Sequence, residues 1–288
     1  MAISPNDKQV YVSNNSQDTV GLIDAALNLL VDNDIFAGQI PAQLALTANG
    51  DTLYIADTIP AGQMSILETK SLTVKSPITG LGANPFGLAV TPNGKEVWIA
   101  NTTGNTVSVF DIKTSKLLTA ITVGGGPADV APNGKTAYVA NSDDSTVSVV
   151  KVAKRTVEGS PISVGSEPEA LVVSPDGKKL YTVNLNTVSV IDLATGNTTN
   201  LSMGATLGFR PAFTPDGKYL YVPLWNPTNQ NTEPGTIVLI STASDTVVGT
   251  PVTVGIQPDN VVISHNGRRA YVTNRLSNTV TVIAISGD

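Results

Sequence analysis

Apolar and polar residues alternate over short runs along the whole chain. Thr106-Val107-Ser108-Val109-Phe110-Asp111 and Thr187-Val188-Ser189-Val190-Ile191-Asp192 show the period-two pattern of a half-buried strand. The same strand returns as Thr19 to Asp24, Thr146 to Lys151, Thr236 to Ser241 and Thr279 to Ala284. Before each of these lies a hairpin turn, Pro5-Asn6-Asp7-Lys8 in the first unit and Asn-Gly or Asp-Gly between apolar runs in the others, as in Pro92-Asn93-Gly94-Lys95 and Pro175-Asp176-Gly177-Lys178. Both residues of such a pair tolerate positive φ, which the tight turn requires. An aromatic follows every turn at a fixed offset: Tyr11, Tyr54, Trp98, Tyr138, Tyr181, Tyr221 and Tyr271, in steps of 43, 44, 40, 43, 40 and 50 residues. A fourth strand leads to a Gly/Pro corner, as in Ile121-Thr122-Val123-Gly124 and Val252-Thr253-Val254-Gly255. No helical stripe of any length is present; the one candidate for a helical turn is Ala25–Leu30.

Four short strands repeated about every 40 residues predict a β-propeller, because one such unit is too small to bury its own apolar face and must stack on its neighbours. The expected class is therefore all-β: a seven-bladed β-propeller of four-stranded antiparallel blades, forming a single domain over residues 1–288. The ends modify this. Met1-Ala2-Ile3-Ser4 reads as the tail of an innermost strand, and Ile283-Ala284-Ile285-Ser286 ends the third strand of the seventh unit. Blade seven is expected to have three strands and an exposed edge at Thr279–Ile285, open to edge-strand self-association. The missing outer strand is expected upstream of Met1, on a segment that also carries an export signal.

Tyr271-Val272-Thr273-Asn274 is the signature tetrapeptide of the YVTN β-propeller repeats, and it returns with drift as Tyr11-Val12-Ser13-Asn14, Tyr54-Ile55-Ala56-Asp57, Trp98-Ile99-Ala100-Asn101, Tyr138-Val139-Ala140-Asn141 and Tyr181-Thr182-Val183-Asn184. The chain resembles that family over essentially its whole length. The resemblance implies a surface-layer or periplasmic type of protein in an extracytoplasmic compartment, with sugar-lactone hydrolases and haem d1-binding domains as more distant kin. It carries no shared catalytic motif. The sixth unit departs from the signature: Tyr221-Val222-Pro223-Leu224 lacks the Asn, and an insertion, Trp225-Asn226-Pro227-Thr228-Asn229-Gln230-Asn231-Thr232-Glu233-Pro234, follows it.

Composition narrows the partners. Charged residues are 14% of 288, against about 25% in an average soluble protein. The net charge is −6 and no basic cluster exists, so nucleic acid and anionic membrane surfaces are not expected partners. No run of 18 apolar residues predicts membrane insertion. With no Cys and one His, disulfides, thiolate chemistry and multi-His metal sites are excluded.

Candidate chemistry lies on the loops between blades and at the mouth of the central channel. There the repeats place Gln43, Phe86, Asp129, Glu169, Phe209, Arg210, Asp259 and Asn260. Asp129, Glu169 and Asp259 are candidates for holding Ca²⁺ or for raising one another's pKa for acid–base work; the opposing reading is solvated loop carboxylates balanced by Arg210. Trp225 is a candidate for stacking on a sugar ring or anchoring a partner, with Arg275 and Asp143-Asp144 as its polar rim; the opposing reading folds it back over the blade edges. His265 reads as a surface-turn residue, the aromatic column as inter-blade core, and the Asn column as strand-end caps bonding to the backbone. Two functions are expected from this pattern: a non-catalytic scaffold that binds protein or carbohydrate at its loop face, or a propeller enzyme of lactone hydrolase or lyase type using the mouth carboxylates.

Overall fold

The structure is a computed structural model and describes residues 1–286. It contains seven antiparallel sheets, six built on four consecutive strands and the last on three. The fold is all-β, a seven-bladed β-propeller. Among the described residues the only helical pieces are 3₁₀ turns at Asn15–Gln17 and Thr102–Gly104. Ala25–Leu30 forms no helical turn: it is a tight turn running into the strand Leu29–Phe36, because Asp24 accepts the N–H groups of Ala26 and Leu27 and bends the chain back.

The chain divides into two compact units, Met1–Ile162 and Ser163–Asp288. In the first, the blade strands are Ala2–Ile3, Gln9–Asn14, Thr19–Asp24 and Leu29–Phe36; then Pro41–Leu46, Thr52–Asp57, Gln63–Glu68 and a broken outer strand, Thr73–Val74 and Ile78–Thr79; then Pro85–Val90, Glu96–Asn101, Thr106–Asp111 and Lys116–Thr122; then Pro127–Asn133, Thr136–Asn141, Thr146–Lys151 and Thr156–Val157. In the second, they are Ala170–Val173, Lys179–Val183, Thr187–Asp192 and Thr198–Ser202; then Ala212–Phe213, Tyr219–Leu224, Thr236–Ser241 and Thr246–Thr253; then Pro258–Ile263, Arg269–Asn274 and Thr279–Ala284. The last strand pairs with Arg269–Asn274 alone among the described residues, so blade seven ends on an open edge.

Within each unit the core lies between successive blades. The seven repeated aromatics are all buried, Trp98, Tyr11 and Tyr181 completely. Each contributes on the order of 2–3 kcal/mol by leaving water. Leu53, Ile55 and Leu67 of blade two pack on Tyr11 and Leu22 of blade one, and Tyr181 and Val190 of blade five pack with Leu220 and Ile240 of blade six.

The fourth residue of the tetrapeptide is a brace. Asn101 donates from Nδ2 to Thr106 Oγ1 (3.1 Å) and Ser108 Oγ (2.9 Å), and Asn141, Asn184 and Asn274 repeat the pattern on Thr146 and Ser148, Thr187 and Ser189, and Thr279 and Thr281. The expected side-chain-to-backbone caps are therefore corrected: the main partners are hydroxyls of the third strand. The Thr-x-Ser alternation puts both hydroxyls on the face that the Asn meets. A glycine from the preceding blade's corner lies directly on each brace. A Cβ on Gly82 would come within 2.7 Å of Asn101, and one on Gly124 or Gly255 within 2.6 Å of Asn141 or Asn274. Gly165 covers Asn184 in the same way. Blade two carries Asp57 in this place and reverses the polarity: Gln63 Nε2 (2.9 Å) and Ser65 Oγ (2.7 Å) donate to its Oδ2.

A second recurring device clamps neighbouring blades. In blade three Glu96 accepts from the Trp98 indole (2.9 Å) and pairs with Arg155 in the outer hairpin of blade four. In blade five the equivalent Lys179 pairs with Asp245 in the outer hairpin of blade six (2.6 Å), and Asp245 also accepts from the Tyr181 hydroxyl (2.6 Å). The two clamps occupy the same register with the charges exchanged.

Candidate functional site

In the unit from Ser163 onward, the brace fails in one place. Leu224 stands where Asn would be, so it offers nothing polar, and the corner glycine that precedes it, Gly204, has open space where a Cβ would point. The insertion after Leu224 rises beside that space. A polar groove of about 640 Å³ results, lined by Asn186, Ser202, Gly204, Ala205, Thr206 and residues 226–231. Its volume lies in the range of small-ligand sites, about 300–1,000 Å³. No charged side chain lines it.

The insertion is held in shape by its own amides. Asn226 Oδ1 accepts the N–H groups of Thr228 (2.9 Å) and Asn229 (3.0 Å), while its Nδ2 donates to Pro234 O (3.1 Å) and ties the two ends together. Gln257 Nε2 donates to Asn231 Oδ1 (3.0 Å), anchoring the loop to blade seven. The groove floor is fixed through the backbone: Trp225 N–H donates to Thr206 O (2.8 Å) and Met203 N–H to Asn186 O (3.2 Å).

Three of the residues expected from the sequence, Asp259, Trp225 and Arg275, lie near one another. Asp259 sits at a bulge, where the register shifts between Pro258 and Asn260, and a bulge re-aims a side chain without ending the strand. Burial pushes its carboxyl up to about 6, against the opposing pull of the Arg275 charge and the Trp225 indole N–H. The indole favours the charged carboxylate, yet Trp225 Nε1 and Asp259 Oδ1, both buried, complete no hydrogen bond of normal geometry. Trp225 is half-buried, does not line the groove and has its indole N–H buried, the features of the folded-back arrangement. Arg275 is exposed, and its N–H donates to the carbonyl of Gln257 (2.9 Å), the residue whose side chain anchors the loop.

Arg210 and Asn260 also meet. Arg210 N–H donates to Asp259 O (2.8 Å) and Val261 N–H to Arg210 O (2.9 Å), a short parallel bridge between blades six and seven. Glu169, half-buried, donates its N–H to Val183 O (2.9 Å) within blade five. In the other unit, Asp129 is only 1% exposed and its Oδ1 accepts the Val130 N–H (2.8 Å), so it is not a solvated loop carboxylate. Counted from Pro127 and Pro258, Asp129 is the register equivalent of Asn260 and not of Asp259, and both strands carry the same bulge after the Pro. Phe86 is half-buried on Pro85–Val90, and Gln43 Nε2 donates to Leu88 O (2.7 Å). Among the described residues no group of three or more His, Cys, Asp or Glu side chains lies close enough to hold a metal ion. His265 is exposed in its hairpin turn. Asp143 and Asp144 belong to the first unit, where Asp144 accepts the Gly125 N–H (2.6 Å).

Two features escaped the sequence. The groove residues Asn186, Ser202 and Thr206 come from blade five and its corner, and only the insertion and the lost Asn signalled them. Asp57, completely buried, is raised to about 6 by desolvation, against hydrogen bonds from Ser65 and Gln63 and with a smaller push from Asp18. Its signal was one acid in a column of amides.

No family model and no curated protein matches the chain. Among solved structures it is similar to Kuenenia stuttgartiensis hydrazine synthase, with 22% identity and a TM-score of 0.84 over 99% of this chain and 95% of that one. It is also similar to a functionally unknown protein from Desulfotomaculum acetoxidans DSM 771, with 15% identity and a TM-score of 0.81 over 97% and 93%. At these identities the likeness concerns the fold. With 1680 matching chains, the fold does not discriminate among functions.

Proposed function

We propose that the protein is a non-catalytic binding module that takes its ligand at the loop face of blades five to seven and works outside the cytoplasm. The observation that carries the reading is the coincidence of three departures from the repeat: the lost brace at Leu224, the uncovered Gly204 and the clipped insertion, which together open the groove. Six further units have no such insertion. A loop pre-ordered by Asn226 and Gln257 loses little entropy on binding, which favours a recognition role. The extracytoplasmic setting draws on the low charge, the Thr- and Ser-rich strands and the resemblance to YVTN repeats.

A propeller enzyme is the second reading, and it draws on Asp259, a carboxyl held near 6 beside Arg275, a suitable range for a general acid–base group. The hydrazine synthase likeness adds no residue to that reading. One experiment separates the two. Replacing residues 227–233 by a loop as short as 102–105, and separately making Asp259→Asn, are assayed for binding on glycan and peptide arrays and for hydrolysis of lactones. A binding module loses its ligand with the short loop and keeps it with Asp259→Asn. Lactone turnover abolished by Asp259→Asn overturns the proposal.

A further inference from the structure

Resting on the binding-module reading, we infer that the groove ligand is a neutral, hydroxyl-rich chain, an oligosaccharide. The lining decides the class. Its polar side chains are carboxamides and hydroxyls only: Asn186, Ser202, Thr206, Thr228, Asn229 and Gln230 face the space, while Asn226 and Asn231 are committed to holding the loop. A carboxamide presents a donor and an acceptor side by side, and so does a pair of vicinal sugar hydroxyls; each can satisfy the other twice. An ionic ligand would bring a charge into a groove that has no counter-charge. A protein partner is disfavoured on the same ground, since the groove offers no aromatic, Met or Arg anchor and only Ala205 and Pro227 are apolar. The open Gly204 corner leaves the groove floor free of a side chain, where a ring can approach the backbone. With Trp225 turned inward, recognition rests on hydrogen bonds in solvent contact, which makes binding weak and hydroxyl-specific.

The test uses the full chain and soluble trioses and hexaoses of the cello, malto, xylo, manno and chito series, with an oligogalacturonate and a neutral peptide set alongside. Saturation-transfer NMR finds binders and calorimetry gives Kd. At least one neutral series binds. Gln230→Ala and Asn229→Ala each weaken it about 3- to 10-fold, the loss of one or two hydrogen bonds. Thr119→Ala, on an outer strand of blade three, leaves Kd unchanged. Both groove substitutions lie on an exposed loop, and unchanged urea midpoints confirm that the folded state is intact. If only oligogalacturonate or peptide binds, and does so in a Gln230-dependent manner, the carbohydrate inference is overturned while the binding module stands. If neutral sugars bind with no effect of either substitution, the groove is not their site. If nothing in any series binds, both readings fall.

Discussion

Replacing Asp57 by Asn tests whether the brace position contains an acid that the fold strains to keep charged. The wild-type carboxyl is completely buried, its Oδ1 has no hydrogen-bond partner, and it titrates near 6 in place of 3.8. A raised carboxyl favours the folded state below its unfolded value and loses that contribution as pH rises through the folded one, so the effect is confined to a window from about pH 4 to pH 6. A shift of roughly two units corresponds to about 3 kcal/mol, a ceiling that relaxation and water penetration lower to about 1–2 kcal/mol. The amide does not titrate. Its stability relative to wild type should therefore rise by about 1–2 kcal/mol between pH 4 and pH 7.5 and stay level above that. The absolute offset between the two proteins depends on whether Gln63 turns its carboxamide to accept, as the Thr hydroxyl does in the other blades. The change with pH does not depend on it. Urea unfolding of both proteins at matched pH values gives the difference directly, and contributions from Asp259 and the surface acids cancel. A difference that is flat from pH 4 to pH 8, or that falls as pH rises, would refute the reasoning.

Two further perturbations address the other recurring devices. The Lys179–Asp245 clamp is exposed by only 28% and 27%, so Asp245→Asn or Lys179→Glu alone should cost about 1–3 kcal/mol, while Lys179→Glu with Asp245→Arg recreates the Glu96–Arg155 arrangement. With Asp245→Arg measured as the second single, the double variant should be at least about 1 kcal/mol more stable than the sum of the losses of Lys179→Glu and Asp245→Arg predicts; simple additivity in urea midpoints would exclude a coupled pair. Gly82→Ala should cost about 2–3 kcal/mol by pushing Asn101 off Thr106 and Ser108, whereas Gly204→Asn, in open space at φ +68°, should cost under about 1 kcal/mol. Equal losses at the two glycines would remove the argument that blade six lacks the brace.

The repeat was legible because its signals are local. Alternation, the Asn-Gly turns and the aromatic offset each act within one hairpin, and the third strands were delimited to the residue, Thr106–Asp111 and Thr187–Asp192 among them. The three-stranded seventh blade followed from where the pattern stops. The site was legible only as an irregularity. The insertion and the missing Asn were visible, but the carboxamide groove needs Asn186 and Ser202, some 40 and 24 residues before Asn226, and no local rule brings them together. Asp129 stands two residues after Pro127 and Asp259 one residue after Pro258, and since both blades carry the same bulge, strand pairing puts Asp129 in register with Asn260. The backbone partners expected of the Asn column are found at Asn274, on Gly255 N–H and Thr279 O, but the recurring partners are hydroxyls on the neighbouring strand, three to seven residues away through a turn.

The brace explains why the groove opens in blade six in particular. Each Asn does two things at once: it ties the second strand to the third, and it fills the space beneath the corner glycine of the preceding blade. The pair is mutually dependent, since a side chain at the glycine would strike the Asn and a smaller residue in place of the Asn would leave a hole beneath the glycine. Losing the Asn therefore releases the corner as well. In blade six Leu224 turns that position into core, packed with Leu207 and Val222, and the Gly204 corner no longer has anything to cover. The chain fills the gap from outside with an insertion that is polar, clipped to itself and anchored by Gln257. A defect in packing alone would be repaired with apolar side chains, because a void lined by polar groups costs more than one filled with Leu or Val. The replacement here is a run of amides and hydroxyls facing an open groove, the arrangement that the proposed ligand site requires and that repair of a packing defect does not.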